Sequence, residues 1–411
     1  MSRPESSAIR VAVTGVGIVC SLGRDQRQVW GNALEGRRGI EDLDLFETSG
    51  CLSRLGGQAP ELAEMESLPR EERRRASRTD RLCMSAALEA VRQSGLEGSP
   101  VLGGFGVSLG TSTAGMLESE IYCRESVEKG RDATRPTRVL RLPSSVPADA
   151  VSRLLGTCGP RLSNMTACAS SALSIGMAAD LIRSGEVSGM VAGGGDALCR
   201  MTYAGFNALR LVDSEPPRPF DATRNGLALG EGAGILVLEE WEQAQRRPAR
   251  ILAEFVEYGS SCDAHHMTSP HPEGRGAASA MAQALRRAGL APEEVGHINA
   301  HGTGTSLNDA TETQAILAVF GEETSARIPL TASKSLFGHL LGGAGGAEAV
   351  ILVLSLLHQC LPPTLGWTAA DPGVRLDMVA RASRRHSFSL GMSNSFGFGG
   401  TNCTLLFRRA A

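Results

Sequence analysis

Four residues have the types and settings to do chemistry together: Cys168, His301, Lys334 and His339. Cys168 stands in TACASS, between a strand-like segment from Ser163 and the amphipathic helical segment SALSIGMAADLIRSG. A helix N-terminus presents unpaired N–H groups and a positive dipole end; both favour a thiolate and predict a pKa below the ordinary ~8.5. The small neighbours Ala167, Ala169, Ser170 and Ser171 leave room for a substrate. His301 in NAHGTGT and His339 in SLFGHLLGG sit beside glycines in short loops, poor places for core packing and good ones for catalysis. Lysine is scarce: of 41 basic residues only Lys129 and Lys334 are lysine. Lys129 lies in the polar stretch EKGRD, whereas Lys334 lies among small and apolar residues in TASKSLFGH, where a compact ammonium fits better than a guanidinium. The set supplies a nucleophile, two N–H donors for a developing oxyanion and a cation to set the local field.

These residues need a large scaffold. At 411 residues the chain exceeds a single average domain of roughly 150 residues and excludes a small stapled scaffold. A net charge of -3 excludes broad nucleic-acid binding, and 4% aromatics with 49 glycines favour a layered α/β architecture over a β-sandwich. The ten cysteines form no CxxC pairs, which argues against both a disulfide framework and a zinc ribbon. The apolar run from Ala349 to Leu357 is about half of the ~20 residues a membrane span needs, so no span is expected and the cytoplasm is the default location. IRVAVTGVGIV reads as a first strand, with its glycines in a tight turn at the strand end and no dinucleotide site. Residues 57–95 read as helical. From Ser163 the pattern is strand, nucleophile turn, helix and buried strand GMVAGGGDA. Further strands at GILVLEEW, ARILAEFVEYGSS and HINAHGTG alternate with helices at GAASAMAQALRRAG, DATETQAILAVFG and GGAEAVILVLSLLHQ, and a strand pair closes the pattern. A glycine-punctuated turn follows a buried strand in both halves, which hints at internal duplication. Asp263, His265, His266 and His271 do not make a metal site, because adjacent histidines on an extended chain point to opposite faces; the segment reads as a polar loop near an entrance. GFGGTN, with Gly397, Gly399 and Gly400, predicts a close backbone approach whose N–H groups face a ligand.

TACASS, RPFD…GEGAG, SSCDAHHMTSP, NAHGTGT, KSLFGH and GFGGTN, in this order and spacing, resemble the motifs of the elongating, type II β-ketoacyl-acyl carrier protein synthases. The resemblance runs from Val11 to Leu406. It implies an α/β thiolase fold, a duplicated five-layered αβαβα sandwich, with halves at 1–255, carrying Cys168, and 256–411, carrying His301, Lys334 and His339. It implies an acyltransferase that performs a decarboxylative Claisen condensation between an acyl group on Cys168 and malonyl-acyl carrier protein. His301 and His339 would stabilise the enolate, and the N–H groups of Cys168 and Phe398 would form an oxyanion hole, with Phe398 also gating the pocket. Lys334 would pair with Glu312, supported by Asp309; Thr303 and Thr305 would contact the pantetheine arm. Asn299, Glu348 and Ser393 match a structural monovalent-cation position of some relatives.

The same resemblance implies no bound cofactor, substrates carried on the phosphopantetheine of acyl carrier protein, and a homodimer or a heterodimer with a chain-length-factor-like subunit. Thr113 in GTSTAG stands where relatives carry a bulkier residue lining the acyl pocket. The basic run Arg70, Arg73, Arg74, Arg75 and Arg78 falls where relatives dock the acidic carrier. Ser21, Asn225 and His265 depart from the family pattern and suggest a divergent member in a specialised polyketide or polyene pathway as an alternative to fatty-acid synthesis. A catalytic subunit dependent on a non-catalytic partner is a second alternative. A thiolase is a minor one, because Cys403 lacks the following glycine of a CxG turn.

Overall fold

The first apolar segment forms strand β1 (Val11–Cys20), every residue of which is buried. Its glycines lie inside the strand, not in a turn as expected. A Cβ on Gly15 or Gly17 would come 2.0 or 1.9 Å from the carbonyl oxygens of Ala90 and Ala86, so the glycines let helix α1 (Arg78–Ser94) lie directly on the strand. Helix α1 begins at a Ser77–Asp80 capping box and ends at Gly95 in the left-handed region. The computed structural model describes residues 9–62, 65, 68 and 70–410. Of the 57–95 segment expected to be helical, the described helical runs are Arg70–Arg75 and α1, with a short strand at Leu55–Gly57 before them. Helices at Met116–Lys129 and Arg200–Ala208, not anticipated from the sequence, flank the nucleophile segment in the chain.

The first half continues with β2 (Gly106–Gly110), α2 (Val146–Leu155), β3 (Arg161–Asn164), α3 (Ser170–Arg183), β4 (Gly189–Asp196) and β5 (Gly232–Glu240). The second runs β6 (Ala253–Cys262), α4 (Arg275–Ala288), β7 (His297–Asn299), α5 (Ser306–Ser325), β8 (Pro329–Thr331), α6 (Ala344–His358), β9 (Asp377–Met378), β10 (Leu390–Phe396) and β11 (Thr401–Arg409). These eleven strands form one sheet in the order β9-β8-β7-β10-β11-β6-β1-β5-β4-β2-β3.

Apart from the added edge strand β9, the second half repeats the first. β1 pairs antiparallel with β5 as β6 does with β11, and β5 with β4 as β11 does with β10. β4–β2–β3 are parallel, as are β10–β7–β8. Antiparallel pairing of β1 with β6 joins the halves. The hinted duplication is therefore present in the topology, and α3 and α6 hold equivalent places. A division after residue 255 passes through β6; the halves join in the connection at 241–252 ahead of it.

Helices α3 and α6 pack between the two halves of the sheet, with α1 on the outer face of one half and α4 on the outer face of the other. This is the five-layered thiolase sandwich. From Ala344 to Leu356 every residue of α6 is buried. The stretch Leu341–His358 is long and apolar enough to cross a membrane by composition, and 89% of it is buried inside the protein. Sheet on both sides explains its apolarity.

Candidate active site

Cys168 sits in a tight turn, Ala167–Ala169, that runs directly into α3. Ala167 has φ 49°, a left-handed conformation unusual for a residue with a Cβ. Two hydroxyls hold its carbonyl: Ser112 Oγ donates to it at 3.0 Å and Ser170 Oγ at 2.6 Å. The bend aims Cys168 out of the helix axis into a cavity of about 320 Å³, while the residue itself stays 7% exposed. Gly397 packs against this turn, where a Cβ would lie 3.0 Å from Thr166 O, and so brings the N–H of Phe398 to the thiol.

The expected depression of the Cys168 pKa is corrected by the structure. Burial pushes the thiol up to about 11, against the opposing pull of the Lys334 ammonium and of the N–H groups of Phe398 and Cys168 itself. Desolvation of the charged form outweighs the helix terminus here. Alkylation of Cys168 by iodoacetamide, followed by intact mass and peptide mapping, is therefore expected to accelerate roughly tenfold per pH unit from pH 7 to 9.5. A plateau near pH 8.5 would contradict this.

His301 follows β7 and is aimed by its backbone: its N–H and that of Gly302 each donate to Glu312 at 2.9 Å. Gly302 has φ 42°, and a Cβ there would lie 2.6 Å from the Ala332 side chain. His339 follows Gly338 and is pinned on both sides by Ala228 and Gly230 backbone bonds. Lys334, 1% exposed, starts a short helix and donates to His301 O at 2.7 Å and to His301 Nδ1 at 3.2 Å. Its ion-pair partner is Glu348, not Glu312 as expected. Glu312 on α5 lies under the His301 backbone and also accepts from Asn394 at 3.2 Å, whereas Glu348 in the first turns of α6 faces the ammonium.

Both imidazoles are buried, and burial together with Lys334 holds their pKa values well below the ordinary range, so they are neutral. Their tautomers follow from their partners. His339 Nδ1 accepts from the Leu341 N–H at 3.0 Å, and His301 Nδ1 accepts from the Lys334 ammonium, so both rings carry hydrogen on Nε2. The Cys168 Sγ and a ring nitrogen of each histidine lie within 4.8 Å of one another, and the ring centroids are 5.4 Å apart at 85°. Such a Cys–His–His cluster resembles a metal site, but a nitrogen that carries hydrogen has no lone pair for a metal. Reversing the His301 tautomer would set an N–H against the Lys334 ammonium.

Two family models match the chain: "Beta-ketoacyl synthase, N-terminal domain" over residues 8–244, and "Beta-ketoacyl synthase, C-terminal domain" over 252–368. The chain belongs to the β-ketoacyl synthase family. The synthase is 38% identical over 408 residues to 3-oxoacyl-[acyl-carrier-protein] synthase 2 of Synechocystis sp., covering 97% of this chain and 98% of that one. It superposes on the ishigamide ketosynthase/chain length factor with a TM-score of 0.92 at 32% identity, covering 98% and 100% of the two chains. A ketosynthase in complex with its chain length factor from Xenorhabdus doucetiae matches at a TM-score of 0.86 and 30% identity, with both chains covered completely. The protein is an acyltransferase of the condensing type.

Around the Cys168–His301–His339 cluster, the synthase places Thr303 and Thr305 in the cavity wall, their hydroxyls 2.9 Å apart. Asp309 braces that loop by accepting from Gly304 N and, at 2.7 Å, from Phe220 N of the RPFD segment. Phe398 lines the mouth and stacks on Phe206 at 5.5 Å; the aromatic partner was missed because Arg200–Ala208 carries no motif. Thr268, Ser269 and Pro270 line the cavity too, which puts the polar loop at the entrance. Its histidines serve turns: His266 Nδ1 accepts from Thr268 N and Ser269 N at 3.2 Å.

Two expectations are corrected. Thr113 does not line the cavity: it is 5% exposed, and its hydroxyl is bonded to Asp196 Oδ1 at 2.9 Å and Ala197 O at 3.2 Å. Arg78 is no docking residue, because it turns inward, donates through Nε to buried Glu231 at 2.8 Å and leaves the basic surface. Arg70, Arg73 and Arg74 instead line a groove of about 440 Å³ together with Arg135, Arg138 and Arg141, while Arg75 is partly neutralised by Glu71 at 3.5 Å and Glu72.

Proposed function

We propose that this synthase elongates an acyl chain by decarboxylative condensation with malonyl-acyl carrier protein, and that Cys168, His301, His339 and Lys334 perform it. The observation that carries the assignment is the convergence of one thiol and two Nε2–H donors at the foot of a cavity that reaches the surface past Thr303 and Thr305. Cys168 attacks the acyl thioester of a carrier phosphopantetheine. The acyl carbon–sulfur bond to the carrier breaks, and the Cys168 proton ends on the departing pantetheine sulfur. Backbone N–H groups of Cys168 and Phe398 stabilise the tetrahedral oxyanion, each donor worth about 3 kcal/mol of barrier. Malonyl carrier then loses carbon dioxide, and His301 and His339 donate Nε2–H bonds to the enolate oxygen. The enolate carbon attacks the Cys168 thioester, the carbon–sulfur bond breaks, and the returning thiolate takes a proton from water. Lys334 fixes the His301 ring and keeps it neutral.

The two half-reactions separate the roles. His301→Ala and His339→Ala are expected to retain acylation of Cys168 by intact mass and to lose malonyl decarboxylation by about 10²-fold or more. Carbon dioxide release at the wild-type rate in both variants rejects the assignment.

No bound cofactor is required by this chemistry; the substrates arrive on carrier phosphopantetheine, in a cytoplasmic setting. A monovalent cation fits beside the site. The buried oxygens Glu348 Oε2 and Ser393 Oγ have no hydrogen-bond partner among the described residues, and Asn299 lies between them, paired in register with Ser393 and bonded to Glu348 O. Oxygen donors of this kind suit a hard cation. Such an ion would brace α6 against β7 and β10 from behind the catalytic groups.

The arginine groove is the docking surface for the acidic carrier. Arg70→Glu with Arg74→Glu is expected to raise KM for carrier substrates about tenfold at low salt and to leave kcat within twofold, with added salt mimicking the effect. Unchanged kinetics removes the groove from docking. At the sheet's far edge, β3 leaves one side unpaired among the described residues, and exposed Met165 follows it directly in the chain. That edge suits a second subunit, either another copy or a chain-length-factor-like partner, as the compared ketosynthase complexes suggest. Similarity to 3-oxoacyl-[acyl-carrier-protein] synthase 2 supports fatty-acid synthesis, and similarity to a type II PKS ketosynthase supports a polyketide pathway as the alternative.

A further inference from the structure

Asp196, at the end of β4, is fully buried and carries no part of the chemistry above, yet its carboxylate gathers donors from both halves of the molecule. From the first half it accepts the Thr111 hydroxyl, Ser112 N at 2.7 Å, Thr113 N and Thr113 Oγ1 at 2.9 Å, and Ala114 N at 3.2 Å. From the second half it accepts Gly342 N at 2.7 Å. A Cβ on Gly342 would lie 2.7 Å from Asp196 Oδ2 and 2.6 Å from Ser112 N, so the glycine turn fits directly onto the carboxylate and the loop it holds.

Two of these contacts lead toward the groups assigned to the chemistry. Ser112, whose N–H is fixed by Asp196, donates its hydroxyl to Ala167 O and so holds the left-handed residue that aims Cys168. Gly342, fixed by the same Oδ2 atom, follows Leu341, another residue with positive φ at 53°, whose N–H sets the His339 tautomer. We infer that Asp196 is a positioning residue that sets the distance and orientation of the Cys168 turn relative to the His339 turn. The two turns come from equivalent places in the duplicated halves, each at the start of a central helix, and the carboxylate is bonded to Gly342 beside one and, through Ser112, linked to Ala167 of the other. The Thr113 hydroxyl completes this junction by donating toward Asp196 Oδ1.

This inference rests on the catalytic roles proposed for Cys168 and His339, and its test keeps the two apart. Asp196→Asn keeps the shape but sets an NH₂ group against N–H donors. It is expected to retain the wild-type far-UV circular dichroism, to lower kcat at least tenfold and to leave KM for malonyl carrier within twofold. The pH profile of Cys168 alkylation is expected to shift as the turn moves. Ser112→Ala keeps the carboxylate and removes one link, the bond to Ala167. It is expected to slow Cys168 acylation at least fivefold while malonyl decarboxylation stays within twofold. A folded Asp196→Asn enzyme with kcat within twofold of wild type overturns the inference. If Asp196→Asn does not fold, the Ser112→Ala result decides, and unchanged acylation there overturns it. Failure of the wild-type protein to acylate Cys168 would instead reject the functional reading itself.

Discussion

Cys168→Ala protein, mixed with an acyl-carrier donor, is expected to show no covalent adduct by intact mass and a loss of condensation of about 10⁴-fold or more, the scale on which removal of a covalent nucleophile acts. The structure predicts this loss without unfolding. The side chain is small, and the bent turn around it is held by the Ser112 and Ser170 hydroxyls on Ala167 O, not by the sulfur. The melting temperature should therefore change little. Two oxyanion donors and both histidines remain in place, so residual decarboxylation of malonyl carrier should survive in the variant. An adduct on another cysteine, for instance exposed Cys262 close to Gly399, would move the nucleophile elsewhere.

Lys334 carries the second large effect, and it acts on stability and rate together. Lys334→Ala leaves the Glu348 carboxylate without its cation inside the protein, and removing one partner of a buried pair costs about 3–5 kcal/mol. It also frees the His301 ring, whose Nδ1 loses its donor. Lys334→Arg restores the charge but not the shape. A planar fork cannot reach Glu348, His301 O and His301 Nδ1 from one point as the ammonium does. Displacement of the ring by about 1 Å is enough for a fall of about 10² in kcat. A chemical denaturation series with a decarboxylation assay checks both halves. Near-normal condensation by Lys334→Arg shows that the site needs only a positive charge.

That these four residues meet in one site was legible because each member stands out locally: a cysteine at a helix start, two histidines beside glycines, and a lysine in a chain that otherwise uses arginine almost throughout. The choice of carboxylate for that lysine was not. Glu312 and Glu348 both lie on helices that follow the His301 loop in the chain, and only the packing of α5 and α6 decides which meets the ammonium. One local signal did exist: Glu348 is the single charged residue in the run Ala344–Leu357. The direction of the Cys168 pKa was misread for a related reason. A helix start is visible in sequence, whereas the burial of Cys168 is a property of the assembled layers. Thr113 was misplaced because its strand end is recognisable from glycines alone, and the partner that turns its hydroxyl away from the cavity lies 83 residues further on. Alternating strands and helices revealed the α/β class, but the register that joins β1 to β6 and makes the halves equivalent exists only in three dimensions.

The place of α6 between the two half-sheets bears on how the chain is made. One side of this helix, buried from Ala344 to Leu356, is covered by the first half, which emerges from the ribosome earlier. The other side waits for β10 and β11, at residues 390–409, the final described strands to emerge. Until those strands arrive, a nascent chain presents a helix as greasy as a membrane anchor, with nothing to lay against it. Late synthesis is thus the interval in which this chain exposes an apolar helix most open to aggregation. A premature stop anywhere between residues 360 and 390 should direct the product to aggregation or degradation and not to a shortened enzyme.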